Sequence, residues 1–221
     1  MKAYQDASLA PVRRAKALLE EMTLAEKIGQ LNQRLYGFRI YERKCVNGED
    51  TIELSEEFCQ EVEKYSGLGV LYGLYRADPW ADKNYETGLT GVLSKKAYNQ
   101  VQRYVLEHSR LGIPVMMSSE CPHGHQALDG YLLPVNLLAG ATFDPAMVRA
   151  AYRVSGRQLQ NMGVDLALMS MLDVLRDPRW GRSEECYSED PYLSARMAEA
   201  AVIGMQESGP EVVAKHFAAH P

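Results

Sequence analysis

The sequence predicts an α/β fold built on parallel strands, and three observations carry that reading. Short apolar runs of β character alternate along the chain with longer segments of helical period, the pattern of strands joined by crossover helices. The strand starts recur about every 45 to 50 residues, room enough for a strand, a helix and long loops in each unit. With 221 residues and 46% hydrophobic side chains, the chain can also build a sizeable core. No linker divides it, and no sequence repeat accompanies the rhythm.

A first helix is predicted over residues 11–22. Thr23-Leu24-Ala25-Glu26 then reads as a capping box, in which hydroxyl and carboxylate satisfy each other's orphan amides and open a short helix through Ile28 and Leu31. Residues 68–72 form the first strand. Residues 91–110 form a helix with Val92, Ala97, Val101 and Val105 at helical spacing. Residues 113–117 are the second strand. Asp144-Pro145 supplies an N-cap and a proline at the first helical position, and Gly163 closes that helix at its C′ position. Residues 164–171 are the third strand and residues 191–206 the next helix. A fourth strand begins at Val212 and runs into Lys215 and His216. A fifth strand has room between Leu31 and Tyr41, whereas residues 42–57 are polar and read as a surface excursion. A closed (β/α)8 barrel needs about 250 residues and eight strands, so the pattern leaves an open doubly wound sheet or part of a barrel.

Composition removes several functions. Lys+Arg 24 against Asp+Glu 29 gives a net charge of -5, the wrong sign for a protein held to nucleic acid by bulk charge. The cysteines, Cys45, Cys59, Cys121 and Cys186, form no CxxC pair and read as free thiols of a reduced compartment. The first residues lack the apolar core of a secretory signal, which points to a cytoplasmic location. The longest charge-free apolar stretch, residues 130–143, is shorter than the roughly 18 residues that span a bilayer, so no membrane partner is expected.

Chemistry gathers at the carboxyl ends of three strands, where parallel α/β folds hold their ligands. After the second strand stand Ser118, Ser119, Glu120, Cys121, Pro122, His123, Gly124 and His125. After the third come Asp173, Arg176, Asp177, Arg179, Trp180, Arg182 and Glu185; after the fourth, Lys215 and His216. A pocket there would suit a hydroxyl-rich ligand, since a carboxylate accepts hydroxyl protons while Arg and Lys donate to oxygens. It would equally suit an anion, or be a structural ion-pair network, and composition does not separate the three. His123, His125, His216 and His220 with Cys121 raise a metal site, but His216 reads as strand and Pro122 constrains the turn, so loop packing explains them more simply. Asp177 before Pro178 is a turn signal, and Arg179 beside Trp180 reads as a stacking pair. Tyr131 and Trp180 could line a sugar subsite. A phosphate-binding α/β enzyme would need a glycine-rich loop between strand and helix, which the chain lacks.

Six motifs occur in a recognisable order: residues 23–31 (TLAEKIGQL), 112–114 (GIP), 120–124 (ECPHG), 176–182 (RDPRWGR), 185–191 (ECYSEDP) and 215–217 (KHF). In them the chain resembles the N-terminal barrel domain of glycoside hydrolase family 3, of the β-glucosidase and β-xylosidase type, over nearly its whole length. The resemblance implies a parallel (β/α) barrel of TIM type of which residues 1–221 are the N-terminal portion, about four to five βα units. It implies a retaining, exo-acting β-glycosidase that removes terminal β-linked sugars, and it carries over Glu120, Arg182, Lys215 and His216 as glycone-binding residues. Glu120 would accept hydroxyl protons, Arg182 and Lys215 would donate to ring hydroxyls, and His216 would donate to a hydroxyl or orient its neighbours. Glu185, which could lock Arg182, and Arg176 are further candidates. Retaining hydrolysis needs two carboxyl groups about 5–5.5 Å apart. The resemblance places both the nucleophilic aspartate and the acid/base beyond Pro221, so no catalytic residue is assigned here and the stretch alone is expected to be inactive. No cofactor or metal is implied. The implied partners are a small-molecule or oligosaccharide β-glycoside and either the rest of the barrel or another copy of the chain. The alternative is an inactive half barrel serving only assembly or sugar binding. Members acting on N-acetylglucosaminides tend to show KHFPGHG where this chain has KHFAAHP, which leans towards glucosides or xylosides.

Overall fold

Strand direction organises the molecule. The computed structural model describes residues 2–217, so His220 and Pro221, with the rest of the KHFAAHP segment after Phe217, lie outside the described residues. The reacting carboxylates expected beyond Pro221 lie outside them too. Helix α1 (Pro11–Glu21) begins on the proline expected at its first position and lies on the surface. Helix α2 (Leu24–Gln30) opens on the predicted box: Thr23 N donates to Glu26 Oε2 at 2.7 Å and Glu26 N to Thr23 Oγ1 at 3.2 Å. Glu26 has a second use. Arg110 reaches it with Nε at 2.9 Å and Nη2 at 2.7 Å, tying α2 to a distant loop.

Residues 42–57 depart from the expected surface excursion. Strands β1 (Tyr41–Val46) and β2 (Glu49–Leu54) form an antiparallel hairpin around Asn47 and Gly48, whose φ values of 53° and 81° are those a tight two-residue turn requires. Most of its side chains are exposed, but Tyr41 and Ile52 are buried. Helix α3 (Glu56–Tyr65), unread in the sequence, follows with Ser55 as N-cap.

Among the described residues the main sheet has four strands, all parallel: β3 (Val70–Tyr72), β4 (Met116–Glu120), β5 (Leu166–Met171) and β6 (Glu211–Lys215), side by side in that order. Helix α4 (Gly91–Glu107) crosses from β3 to β4, α6 (Pro145–Asn161) from β4 to β5 after the short α5 (Asn136–Gly140), and α7 (Pro191–Gln206) from β5 to β6. Sequential order distinguishes the two arrangements left open by the pattern. A doubly wound sheet reverses its order at a switch point, whereas equal right-handed crossovers laid one after another wind as a barrel does. Only one residue realises the possible fifth strand: Tyr36 makes a parallel bridge to Tyr72 before the chain turns away at Gly37–Arg39.

Boundaries moved for identifiable reasons. Strand β4 begins at Met116 instead of 113 because the extended segment around Pro114 is bound by a side chain: Gln102 brackets Val115 through both its amide oxygen and nitrogen. Glu120 thereby becomes the last residue of the strand. In α4 the buried stripe starts at Leu93, with Ala97, Val101 and Val105, and Val92 faces outward at 69% exposure. Asp144 caps α6 by accepting from Met147 N at 3.0 Å, and Gly163 follows its end with φ +73°. Helix α7 has the predicted bounds, capped by Asp190. The core packs α4, α6 and α7 against the sheet through residues including Leu71, Met117, Tyr152, Leu159, Ala167, Met169 and Met197.

Hydrogen bonds from Arg110, outweighing burial, hold the Glu26 carboxyl down to about 2 from its usual 4.5. The unfolded chain therefore binds a proton on this group at a higher pH than the folded chain does, and the stabilisation, complete above about 4.5, disappears as pH falls through about 2. Arg110→Met is expected to lower stability at pH 7 by about 2 kcal/mol, because it strands a buried carboxylate. Urea unfolding at pH 7 and pH 3 checks it: the gap between wild type and variant should narrow at the lower pH.

Candidate active site

Three of the four strand ends deliver side chains to one place. Tyr72 ends β3, Glu120 ends β4 and Lys215 ends β6. Tyr72 Oη donates to Glu120 Oε1 at 3.0 Å and Lys215 Nζ to Glu120 Oε2 at 2.7 Å. The loop after β3 adds Arg76, whose guanidinium bonds Tyr72 Oη, lies 3.8 Å from Glu120 Oε1 and is held by Asp78. Burial alone would raise the Asp78 carboxyl, but hydrogen bonds from Arg76 and the Ala81 amide outweigh it and hold it below the usual range. Arg76 also stacks over Trp80, with Cζ 4.5 Å from the ring centroid.

The loop after β5 supplies the other wall. Arg182 forms a two-pronged pair with Glu185, Nη2 lying 2.7 Å from Oε2, and its Nη1 is 3.3 Å from His216 Nε2. His216 Nδ1 is 2.8 Å from Asp173 Oδ2, and Asp173 is buried. Glu185 is largely shielded from solvent: its side chain is 15% exposed. Burial pushes its carboxyl up, yet the hydrogen bond from Arg182 and the charges of Arg182 and Lys215 prevail, leaving it below the ordinary range. The same pair raises the Arg182 guanidinium.

All of these groups except Tyr72 and Asp173, which stand behind them, line one open cavity of about 1000 Å³, with Pro122, His123, Gln126 and Leu132 on its wall. Glu120, Arg182, Lys215, His216 and Glu185, expected together from the sequence, all line it. Arg176 is exposed outside the lining, and Arg179 pairs with Asp177 on the surface with 89% of its side chain exposed. Arg76, Asp78 and Trp80 were missed in the sequence. The rule that ligands sit beyond strand ends would have found them had it been applied to the loop after β3 as well as to the other three.

The remaining candidates stand apart. His125 is fully buried beside Ser119, and burial pushes its imidazole down to about 4, while Cys121 is pushed up to about 12 by the same cause. Among the described residues no group of three or more His, Cys, Asp or Glu is arranged to hold a metal ion, and no helix is long and apolar enough to cross a membrane. A buried polar bridge fixes both loops that shape the cavity. Tyr152 Oη donates to the Pro122 carbonyl and lies 3.0 Å from Asn136 Oδ1, and Asn136 Nδ2 donates to the Glu185 carbonyl at 2.9 Å.

A sequentially wound parallel sheet with a charged cavity at the carboxyl ends of its strands is the architecture of a barrel-type α/β domain. The description "Glycosyl hydrolase family 3 N terminal domain" matches residues 23–221, and the chain belongs to that family. A putative β-xylosidase of Formosa agariphila is 31% identical over 99% of this chain and 28% of its own length. A periplasmic β-glucosidase of Salmonella typhimurium is 30% identical over 92% of this chain and 23% of its own. Among solved structures, a β-glucosidase from Erythrobacter marinus superposes with a TM-score of 0.75 at 28% identity, covering 98% of this chain and 27% of that one. A β-glucosidase from Listeria innocua gives 0.70 at 27% identity, over 92% of this chain and 26% of that one. The chain thus spans about a quarter of the length of the relatives it matches.

Asn136→Ala leaves the Glu185 carbonyl without its donor inside the protein. It is expected to lower stability by about 2 kcal/mol. Chemical denaturation measures this, and a change below about 0.5 kcal/mol would show that the bridge does not hold the two loops.

Proposed function

We propose that this chain is the N-terminal part of a retaining, exo-acting β-glycosidase of β-glucosidase or β-xylosidase type, and that its cavity receives the terminal sugar. The observation that supports the reading is the convergence of Glu120, Lys215, Arg182 and His216 on one cavity from separate strand ends. Such a set matches a pyranose better than an anion, because each cation facing the cavity already has a carboxylate partner: Lys215 with Glu120, Arg76 with Asp78 and Arg182 with Glu185. Arg76, Arg182 and Lys215 face Asp78, Glu120, Glu184 and Glu185, so no net positive charge is left to hold a phosphate, whereas the wall offers both hydrogen-bond donors and acceptors, as neighbouring hydroxyls require. In this reading Glu120 accepts hydroxyl protons while Lys215 and Arg182 donate to sugar oxygens.

Retaining chemistry needs a nucleophilic carboxylate and an acid/base about 5–5.5 Å apart. Of the carboxylates lining this cavity, Asp78, Glu120 and Glu185 are committed to cations, while Glu184 is exposed; following the family resemblance, we assign the reacting pair to positions beyond Pro221, in the longer polypeptide that the relatives represent. The remainder of the barrel is the proposed partner at the edge of β6, where the described sheet ends.

Titration calorimetry of the 221-residue chain with glucose and xylose tests the binding half. Binding in the millimolar range is expected, reduced at least tenfold by Lys215→Ala, because a charge-assisted hydrogen bond is worth about 1.5–3 kcal/mol. A folded chain that takes up neither sugar overturns the reading. The chain alone is expected to show no turnover of nitrophenyl β-glucoside or β-xyloside, and turnover abolished by changing one of its own carboxylates would place the nucleophile here instead.

A further inference from the structure

His216 stands between a group that only accepts and a group that only donates. On one side Asp173, with a side chain 1% exposed, sets Oδ2 2.8 Å from Nδ1 and 3.2 Å from the His216 backbone nitrogen. On the other, Arg182 Nη1 lies 3.3 Å from Nε2. A carboxylate has no proton to give and a guanidinium no lone pair to offer. Both contacts are hydrogen bonds only when Nδ1 carries the proton and Nε2 keeps its lone pair. A proton on Nε2 would oppose two donors, and a bare Nδ1 would face the carboxylate with two lone pairs.

The consequence reaches Arg182. A guanidinium has five N–H groups. Glu185 takes one on Nε and one on Nη2, and His216 takes one on Nη1. That leaves two, on Nη1 and Nη2, uncommitted among the described residues. With the Glu185 edge and the His216 contact both fixed, the guanidinium plane cannot rotate to offer a different pair.

We infer that Asp173 is a positioning residue for the sugar site, holding His216 in its Nδ1-protonated tautomer so that Nε2 anchors Arg182 and leaves two Arg182 N–H groups for the sugar's oxygens. This rests on the reading of the cavity as a sugar site. It chooses between the two roles open to His216: the ring orients its neighbour and offers no Nε2–H to a hydroxyl.

Long-range proton–nitrogen spectra of the 221-residue chain test it directly, with His216 assigned by the signals lost in His216→Gln. A protonated, pyrrole-type Nδ1 and an unprotonated, pyridine-type Nε2 are expected, without sugar and at saturating glucose or xylose. A protonated Nε2 in either spectrum overturns the inference. In Asp173→Ala the ring is expected to move towards the Nε2-protonated form, with sugar binding weakened about tenfold to a hundredfold. An unchanged tautomer in a folded variant also overturns it, and if that variant does not fold, the wild-type spectra decide alone. Should the wild-type chain bind no sugar, the sugar role falls with the function reading, while the sugar-free spectrum still upholds or refutes the tautomer.

Discussion

Parallel strands joined by right-handed crossovers must all end on the same edge of their sheet, and every feature of the candidate site follows from that constraint. Glu120 and Lys215 are 95 positions apart in sequence, yet their side chains meet at 2.7 Å because each closes a strand running in the same direction. The loops that leave those ends have to turn back towards the helices, and in doing so they ring a common space. Arg76 and Asp78 enter it from the loop after β3, Arg182 and Glu185 from the loop after β5.

Once charged groups are drawn together in a half-buried space, their pairing becomes a condition of folding. An isolated charge taken out of water costs several kcal/mol, and the cost is offset only when partners and hydrogen bonds meet it. Here the offset comes in two linked sets. Tyr72, Glu120, Lys215, Arg76 and Asp78 form one, and Asp173, His216, Arg182 and Glu185 the other. Their side chains are therefore held in position before any ligand arrives, the state in which a binding site loses least on association. Behind them the buried Tyr152–Asn136 bridge joins two loops by backbone carbonyls, so that the wall of the cavity is tied to the core and not only to itself.

Local chemistry was the legible part. The Thr23–Glu26 box, the Asp144 and Asp190 caps and the bounds of α7 all involve groups within a few residues of one another, so their energetics are written in the adjacent sequence. The hairpin was not read, although Asn47-Gly48 is its turn signal, because its polar composition reads as surface excursion and most of its side chains do face water. The start of β4 was not legible. The segment before Met116 is bound by Gln102, a partner on a helix that no local pattern associates with it.

The sequence by itself determined the α/β class, the succession of the four parallel strands with the main helices between them, and that Glu120, Arg182, Glu185, Lys215 and His216 gather beyond the strands, because caps, periodicity and motif order depend on near neighbours. Tertiary structure decided which way the sheet winds and that Lys215 pairs with Glu120. It also decided that Arg176 stays outside while Arg76 comes in, and that His216 is gripped from both sides. Those outcomes depend on distances between segments scores of residues apart, which only the closing of the sheet establishes.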